Sequence, residues 1–359
     1  MNRITSPDSP ELDALCAKLK TYSAGPQAEA GDAWPADTLA WCGEAGVYEW
    51  FLPREWGGQD WSDADVIRGY LKLSTACLTT AFIITQRSGA CRRIAGSVNP
   101  ELAARLLPDL VSGKSFATVG ISHLTTSRRH VSRPVLAAEE TGEGFVLDGF
   151  SPWVTGALHA ETIVTGATLP DGKQILVALP TDIAGASVPP PVKLVGLSGS
   201  ATGEVRCDRV KLGREFLLAG PSPNVMNLGT GAGTGGLQTS TLALGLATAA
   251  IDFLAAESGP RAELSDVVAE LRSEQEKLTA DLLSLADGEK VCSQDDFRAR
   301  ANSFVLRSTQ AALSAAKGSG YVYSHPVGRW CREALFFLVW SCPAGVMRAN
   351  LCELAGLAD

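Results

Sequence analysis

The chain has 359 residues, of which 45% are hydrophobic and 19% charged, and a formal net charge of −8. That length supports two or three structural regions with sizeable cores, and the composition is that of an ordinary globular protein. The acidic balance excludes nucleic acid as the main partner, because phosphate backbones need clustered cations.

Three regions follow one another by pattern. From about residue 9 to 115 the apolar spacing is helical. Ser9-Pro10-Glu11 reads as a helix start, followed by Leu12, Leu15 and Leu19 at helical intervals. A second helix is expected near 34–46, ending at Gly46. The turn FLPREWGGQDWS comes next, its paired glycines free to take backbone angles that other residues resist. Ser62 then caps a further helix, with Asp65 placed for a near capping box.

From about 116 to 218 the pattern becomes short apolar or alternating runs broken by Gly, Pro and Asp. SFATVGIS, RPVLAAEE, GFVLDGF, ETIVTGAT, QILVALP and GEVRCDRVKL read as strands of a compact β-barrel or sandwich. A Gly-rich stretch, GPSPNVMNLGTGAGTGG, leads into the third region. Gly231, Gly233 and Gly236 satisfy GxGxxG, but no buried strand precedes them and no βαβ pattern surrounds them. An interdomain loop is therefore expected rather than a dinucleotide site. Long helical segments near 235–257, 261–287, 294–317 and 326–354 then predict an antiparallel bundle. The expected class is α+β, with an N-terminal helical domain over 1–115, a middle β-barrel domain over 116–218 and a C-terminal four-helix bundle over 219–359.

The nine cysteines, at 16, 42, 77, 91, 207, 292, 331, 342 and 352, form no CxxC pair. With only four histidines there is no zinc-like spacing, so no metal site is expected. An odd count with several cysteines on apolar helical stretches points to reduced thiols. The start MNRITSPDSPELDAL lacks the apolar run of a signal peptide, and no uncharged apolar run of a spanning length occurs. A cytoplasmic protein with no membrane partner is the expectation.

The C-terminal stretch KGSGYVYSHPVGRWCREALFFLVWSCPAGVMRANLCELAGLA resembles the C-terminal helical segment of the acyl-CoA dehydrogenase family. That family reads roughly GGxGYxxxxPVxRxxRDAxxxxIYEGTxxIxR here. Gly320, Tyr321, Pro326, Val327, Arg329, Arg332, Ala334 and Arg348 fall in register without a gap. The family's proton-abstracting Glu falls at Ser341. The turn at 53–62 is similar to VPExxGGxGxS through Pro53, Gly57, Gly58 and Ser62. GFSPWVTGA is similar to NGxKxWITNA, and LVGLSGSATGEVRCDRVKL resembles a strand motif through Gly196, Ser200, Thr202, Val205, Asp208 and Val210. VGISHLTTSRR stands where the family has xxLTEPxAGSD.

The resemblance implies a flavin cofactor, FAD, with FMN as the smaller alternative. It implies that Trp153 packs on the isoalloxazine, that Thr155 hydrogen-bonds near the hydride-accepting nitrogen, and that Ser122 keeps a hydroxyl for the flavin. Arg128, beside Arg129, is placed to meet a phosphate of FAD or of a CoA-like substrate. A serine at 341 has no carboxylate for α-proton removal. Glu333, in place of the family's Asp beside Arg332, reads as an ion-pair residue. The region RxxFGxxxxxxQ, which meets the ADP half of FAD in the family, is shortened here to AAESGPRAELSDVVAEL.

Three readings follow. One is an acyl-CoA dehydrogenase-like oxidoreductase with its base replaced, acting on a small-molecule substrate, with an acyl-CoA as the candidate. Another is a reduced-flavin monooxygenase of the same fold, for which Ser122, His123 and Ser341 are candidate proton donors. The third is a non-catalytic scaffold or partner subunit. The family's bundles pair, and REALFFLVW has an apolar face wider than one neighbour covers, so a homodimer or homotetramer is expected.

Overall fold

The computed structural model describes residues 2–25, 33–125, 134–228 and 236–357. Helices α1 (Pro10–Ser23), α2 (Ala36–Glu44), α3 (Asp63–Ala76), α4 (Leu78–Ala95) and α5 (Pro100–Ser112) come first. Each boundary has a local cause. The Ser62 hydroxyl accepts the Asp65 backbone N–H at 3.1 Å to open α3. Asn99 does the same for Leu102 at 3.0 Å, one residue before the Pro100 that begins α5. The second helix ends before Gly46, which takes a left-handed φ of 82°.

Strands β1 (Ala117–Gly120), β2 (Leu136–Glu140), β3 (Gly144–Val154), β4 (Thr162–Thr168), β5 (Gln174–Pro180), β6 (Ala186–Ser187), β7 (Gly203–Gly213) and β8 (Leu217–Ser222) form one sheet. Its order is β6-β7-β3-β2-β4-β5-β8, with β1 pairing β4 in parallel. All six strands expected from sequence are present; β6 and β8 were not foreseen. A single helical turn, α6 (Ser122–Thr125), follows β1.

The strongest apolar strands are buried on both faces. In β5, Ile175, Val177 and Leu179 enter a core enclosed by the sheet, while Leu176 and Ala178 enter a core shared with the helices. In β4, Ile163 and Ala167 take the first side and Val164 the second. A strand covered on both faces reads as a continuous apolar run, as QILVALP does.

After the sheet come α7 (Leu237–Ser258), α8 (Ser265–Ala286), α9 (Gln294–Gly320), α10 (Pro326–Ala334) and α11 (Ala344–Leu354). Among the described residues α7 alone is long and apolar enough to cross a membrane, and 72% of its most apolar window is buried inside the protein. Its apolarity is explained by packing on three sides, against α3, α8 and α9.

The last expected helix, 326–354, is broken. Leu335–Leu338 tightens into a 3-10 turn, Ser341 takes a left-handed φ of 44°, and Pro343 precedes the start of α11. Proline removes a backbone donor and pushes its predecessor out of the helical region, so an unbroken helix cannot pass.

Where α7 crosses α3, Gly245 allows the closest approach. A Cβ there would lie 1.9 Å from Ser74 Oγ and 2.9 Å from the Leu71 carbonyl oxygen. Gly245→Val is therefore expected to lower the unfolding free energy by about 3 kcal/mol, overpacking outweighing the better helix propensity. Urea denaturation reads the change.

Candidate functional site

A cavity of about 990 Å³ opens between the sheet, the C-terminal half of α4, the start of α7 and the turn after α10. Ser122, Trp153, Thr155 and Ser341 all line it, although they are spread over 220 positions of sequence. Arg128 lies outside the described residues, as do Arg129, Gly231 and Gly233.

Trp153 is placed by an irregularity in the sheet. The β3–β7 register shifts between Ser151 and Val154, and within the shift Trp153 takes a φ of 58°. A bulge of this kind re-aims a side chain. The indole is 56% exposed while its neighbours Val154 and Thr155 are buried. An aromatic plate thus faces the cavity instead of filling the β core.

Beside it runs a chain of hydroxyls. Thr155 Oγ1 lies 3.1 Å from Thr202 Oγ1, which lies 2.8 Å from Ser200 Oγ, and all three residues line the cavity. Ser122 also lines it, but its hydroxyl donates to the Pro152 carbonyl at 3.1 Å, fixing α6 against β3. His123 does not reach the cavity. It is buried with Nε2 2.8 Å from the Gly166 carbonyl, and burial holds its pKa below the ordinary histidine value. It is therefore no proton donor for a cavity ligand.

Ser341 is held by its supporting turn. Arg298 on α9 is buried; its Nη2 donates to the Trp340 carbonyl at 2.9 Å, and its Nε donates to Asn302 Oδ1 at 2.8 Å. Asn302 in turn donates to the Phe337 carbonyl at 3.1 Å. These are carbonyls that a tight turn leaves unpaired, and a buried guanidinium and amide satisfy them. Burial pulls the Arg298 pKa down to about 10, so it stays charged at neutral pH. Above the turn, Phe336 stacks on Trp340 at 5.0 Å, and Phe82 from α4 meets both edge-on at 4.9 Å.

The cavity contains a single described carboxylate, Asp63, and that group lies 3.5 Å from the Arg92 guanidinium. Glu333 faces a different, smaller pocket and pairs with Arg329 at 3.6 Å rather than with Arg332. It is an ion-pair residue, not a displaced base. Burial raises its pKa above the usual carboxylate value, against the pull of Arg329 and Arg332.

Sequence reasoning did not single out Arg93, Ser200 with Thr202 as hydroxyls, or Phe336 and Trp340 as walls. An adjacent Arg pair inside the apolar run SGACRRIAG was the available signal for the first.

The family model described as acyl-CoA dehydrogenase, N-terminal domain, matches residues 17–114. A probable acyl-CoA dehydrogenase, YngJ, of Bacillus subtilis (strain 168) is 25% identical over 324 residues, covering 84% of each chain. These matches support membership of the acyl-CoA dehydrogenase family. The chain's fold agrees with that family. Butyryl-CoA dehydrogenase from Megasphaera elsdenii superposes with a TM-score of 0.81 at 16% identity, covering 99% of this chain and 100% of that one. A glutaryl-CoA dehydrogenase from Mycobacterium smegmatis, in complex with FADH2, superposes with a TM-score of 0.79 at 18% identity, covering 98% and 96%.

Two outcomes test this geometry. Arg298→Leu should lower the unfolding free energy by about 2–4 kcal/mol, since the Trp340 carbonyl loses its buried partner; chemical denaturation measures it. Glu333 carries a raised folded-state pKa, so its penalty is absent below about pH 4 and grows as pH rises through and above the unfolded value. Melting of Glu333→Gln should accordingly gain on the parent protein from pH 4 towards pH 7.

Proposed function

We propose that the chain is a flavin-dependent oxidoreductase that binds FAD in this cavity and acts on an acyl thioester, with Ser341 where a carboxylate base would stand. The observation that carries this reading is the half-exposed Trp153 indole beside the Thr155–Thr202–Ser200 hydroxyls, in one cavity with Ser341. A broad aromatic face suits a planar ring system, and short hydroxyls suit the ring's polar edge. The residues present therefore fit the isoalloxazine end of FAD, with Trp153 and Thr155 as its holders and Ser122 at the adjoining turn. Family members of known structure support the cofactor, one of them holding FADH2.

When bound, FAD would supply a hydride acceptor. What this chain's own residues contribute is narrower than in a dehydrogenase with a carboxylate. Phe82, Phe336 and Trp340 exclude water from the wall nearest Ser341. Ser341 offers a hydrogen bond there, but a hydroxyl without a partner base does not take a carbon-bound proton. Asp63, held by Arg92, is the only carboxylate among the described lining residues. That shortage favours a second reading, in which reduced flavin and oxygen act on the substrate and no carboxylate base is required.

Association of the chain with itself fits the exposed apolar residues near the C-terminus. Val339 is 74% exposed, and Leu335, Met347, Leu351 and Leu354 are exposed as well. A homodimer or homotetramer would cover them.

Titration with FAD should give a bound flavin spectrum, and Trp153→Ala should weaken that binding about tenfold, the loss of an aromatic contact. No bound spectrum with excess FAD or FMN would leave the scaffold reading. If FAD binds, Ser341→Glu should speed anaerobic reduction by an acyl-CoA at least about a hundredfold, the usual worth of a general base. Unchanged rates in that variant would show that position 341 does not face the substrate.

A further inference from the structure

The cavity is positively charged in a way that the flavin-side features do not use. Its described lining includes Arg92, Arg93 and Arg332 against the single carboxylate Asp63. Arg92 faces Asp63 at 3.5 Å, and Arg332 stacks on the Tyr323 ring at 4.3 Å and donates to the Tyr323 carbonyl. Arg93 differs. It is only 8% exposed, it has no carboxylate partner among the described residues, and its one hydrogen bond there is Nη1 to the Gly89 carbonyl at 2.9 Å. The residues between Thr125 and Pro134 and between Leu228 and Gly236, whose near ends Thr125 and Gly236 line the cavity, contain no Asp or Glu.

A buried guanidinium is tolerated when an anion or several oxygen acceptors meet it, as they do at Arg298, and it is costly with a single carbonyl. Burial first, then repulsion from Arg92, pulls the Arg93 pKa down to about 10, so the group stays cationic at neutral pH. We infer that Arg93 is the recognition point for an oxyanion of the cavity's ligand, either a carboxylate at the far end of an acyl chain or the phosphate of its carrier arm. This rests on the reading of the cavity as an acyl-thioester site.

The helix sets the distance. Phe82 packs against Trp340, next to Ser341, and Arg93 reaches back one turn to Gly89. Gly89 lies seven positions beyond Phe82, which is roughly 10 Å along α4. The oxyanion is thus held well away from position 341, and a ligand must bridge that gap to use both ends. Guanidinium geometry, planar and forked, suits carboxylate and phosphate alike.

Three probes separate the sources. Octanoyl pantetheine is neutral, suberoyl pantetheine adds a terminal carboxylate, and octanoyl phosphopantetheine adds a phosphate. Affinities are measured by calorimetry on the protein as purified and again after addition of FAD. The parent protein should bind one charged probe at least about tenfold tighter than the neutral one, as a charge-assisted contact implies; which probe is favoured names the source. Arg93→Met should abolish the preference, leave the neutral probe unaffected and not lower the melting temperature, while Arg93→Lys should keep part of the preference. Equal binding of all three probes, or a preference that survives Arg93→Met, would overturn the assignment. So would a lowered melting temperature in Arg93→Met with unchanged probe ratios, which would make Arg93 a structural donor to Gly89. Because the discrimination is read with and without FAD, failure of flavin binding and failure of anion recognition are seen separately.

Discussion

Burial of the sheet on both faces is the constraint on which the remaining arrangement depends. Ile175, Val177 and Leu179 close a core of the sheet's own, and Leu176, Ala178, Val164 and Leu218 tie the other face to the helices. A slip of such a strand by one residue would send each set of side chains into the other core, whose packing does not match it. The sheet is therefore pinned against α4, and the space left between them, closed by α7 and the turn after α10, is the cavity. Its walls are consequences of packing elsewhere, which is how residues from distant parts of the chain converge on one volume.

Much of this was legible in the sequence because it rests on local rules. The strand QILVALP was readable as an unbroken apolar run, and Ser62 as a cap, since each signal lies within a few residues. The resemblance placed Trp153, Thr155, Ser122 and Ser341 on matching motifs, and the structure sets all four around one cavity. What escaped were features made by tertiary contact. Periodicity continued through 335–343, so the break after α10 was invisible until Arg298 and Asn302 were seen to hold the turn's carbonyls. His123 looked like a donor by position, yet its ring turns to the Gly166 carbonyl and away from the ligand space. Arg93 was unremarked because an arginine in a helix is ordinarily a surface residue; burial without a carboxylate partner is a property only of the folded chain.

These features describe a cavity that keeps an exposed indole beside a run of hydroxyls, with a serine where the resemblance implies a carboxylate base. A serine held on a left-handed turn by a buried arginine is a supported arrangement, not an unconstrained loop end. The same cavity is poor in carboxylates and rich in guanidinium groups. That balance selects against cationic ligands and for anionic ones, whatever chemistry takes place beside Trp153.

The most direct measurement is an experimental structure of the protein prepared with FAD. Isoalloxazine density is expected against the Trp153 indole, with its polar edge towards Thr155 and Ser341 on the opposite side of the ligand space. Flavin density at another place, or a cavity filled by protein side chains with Trp153 buried among them, would contradict this arrangement.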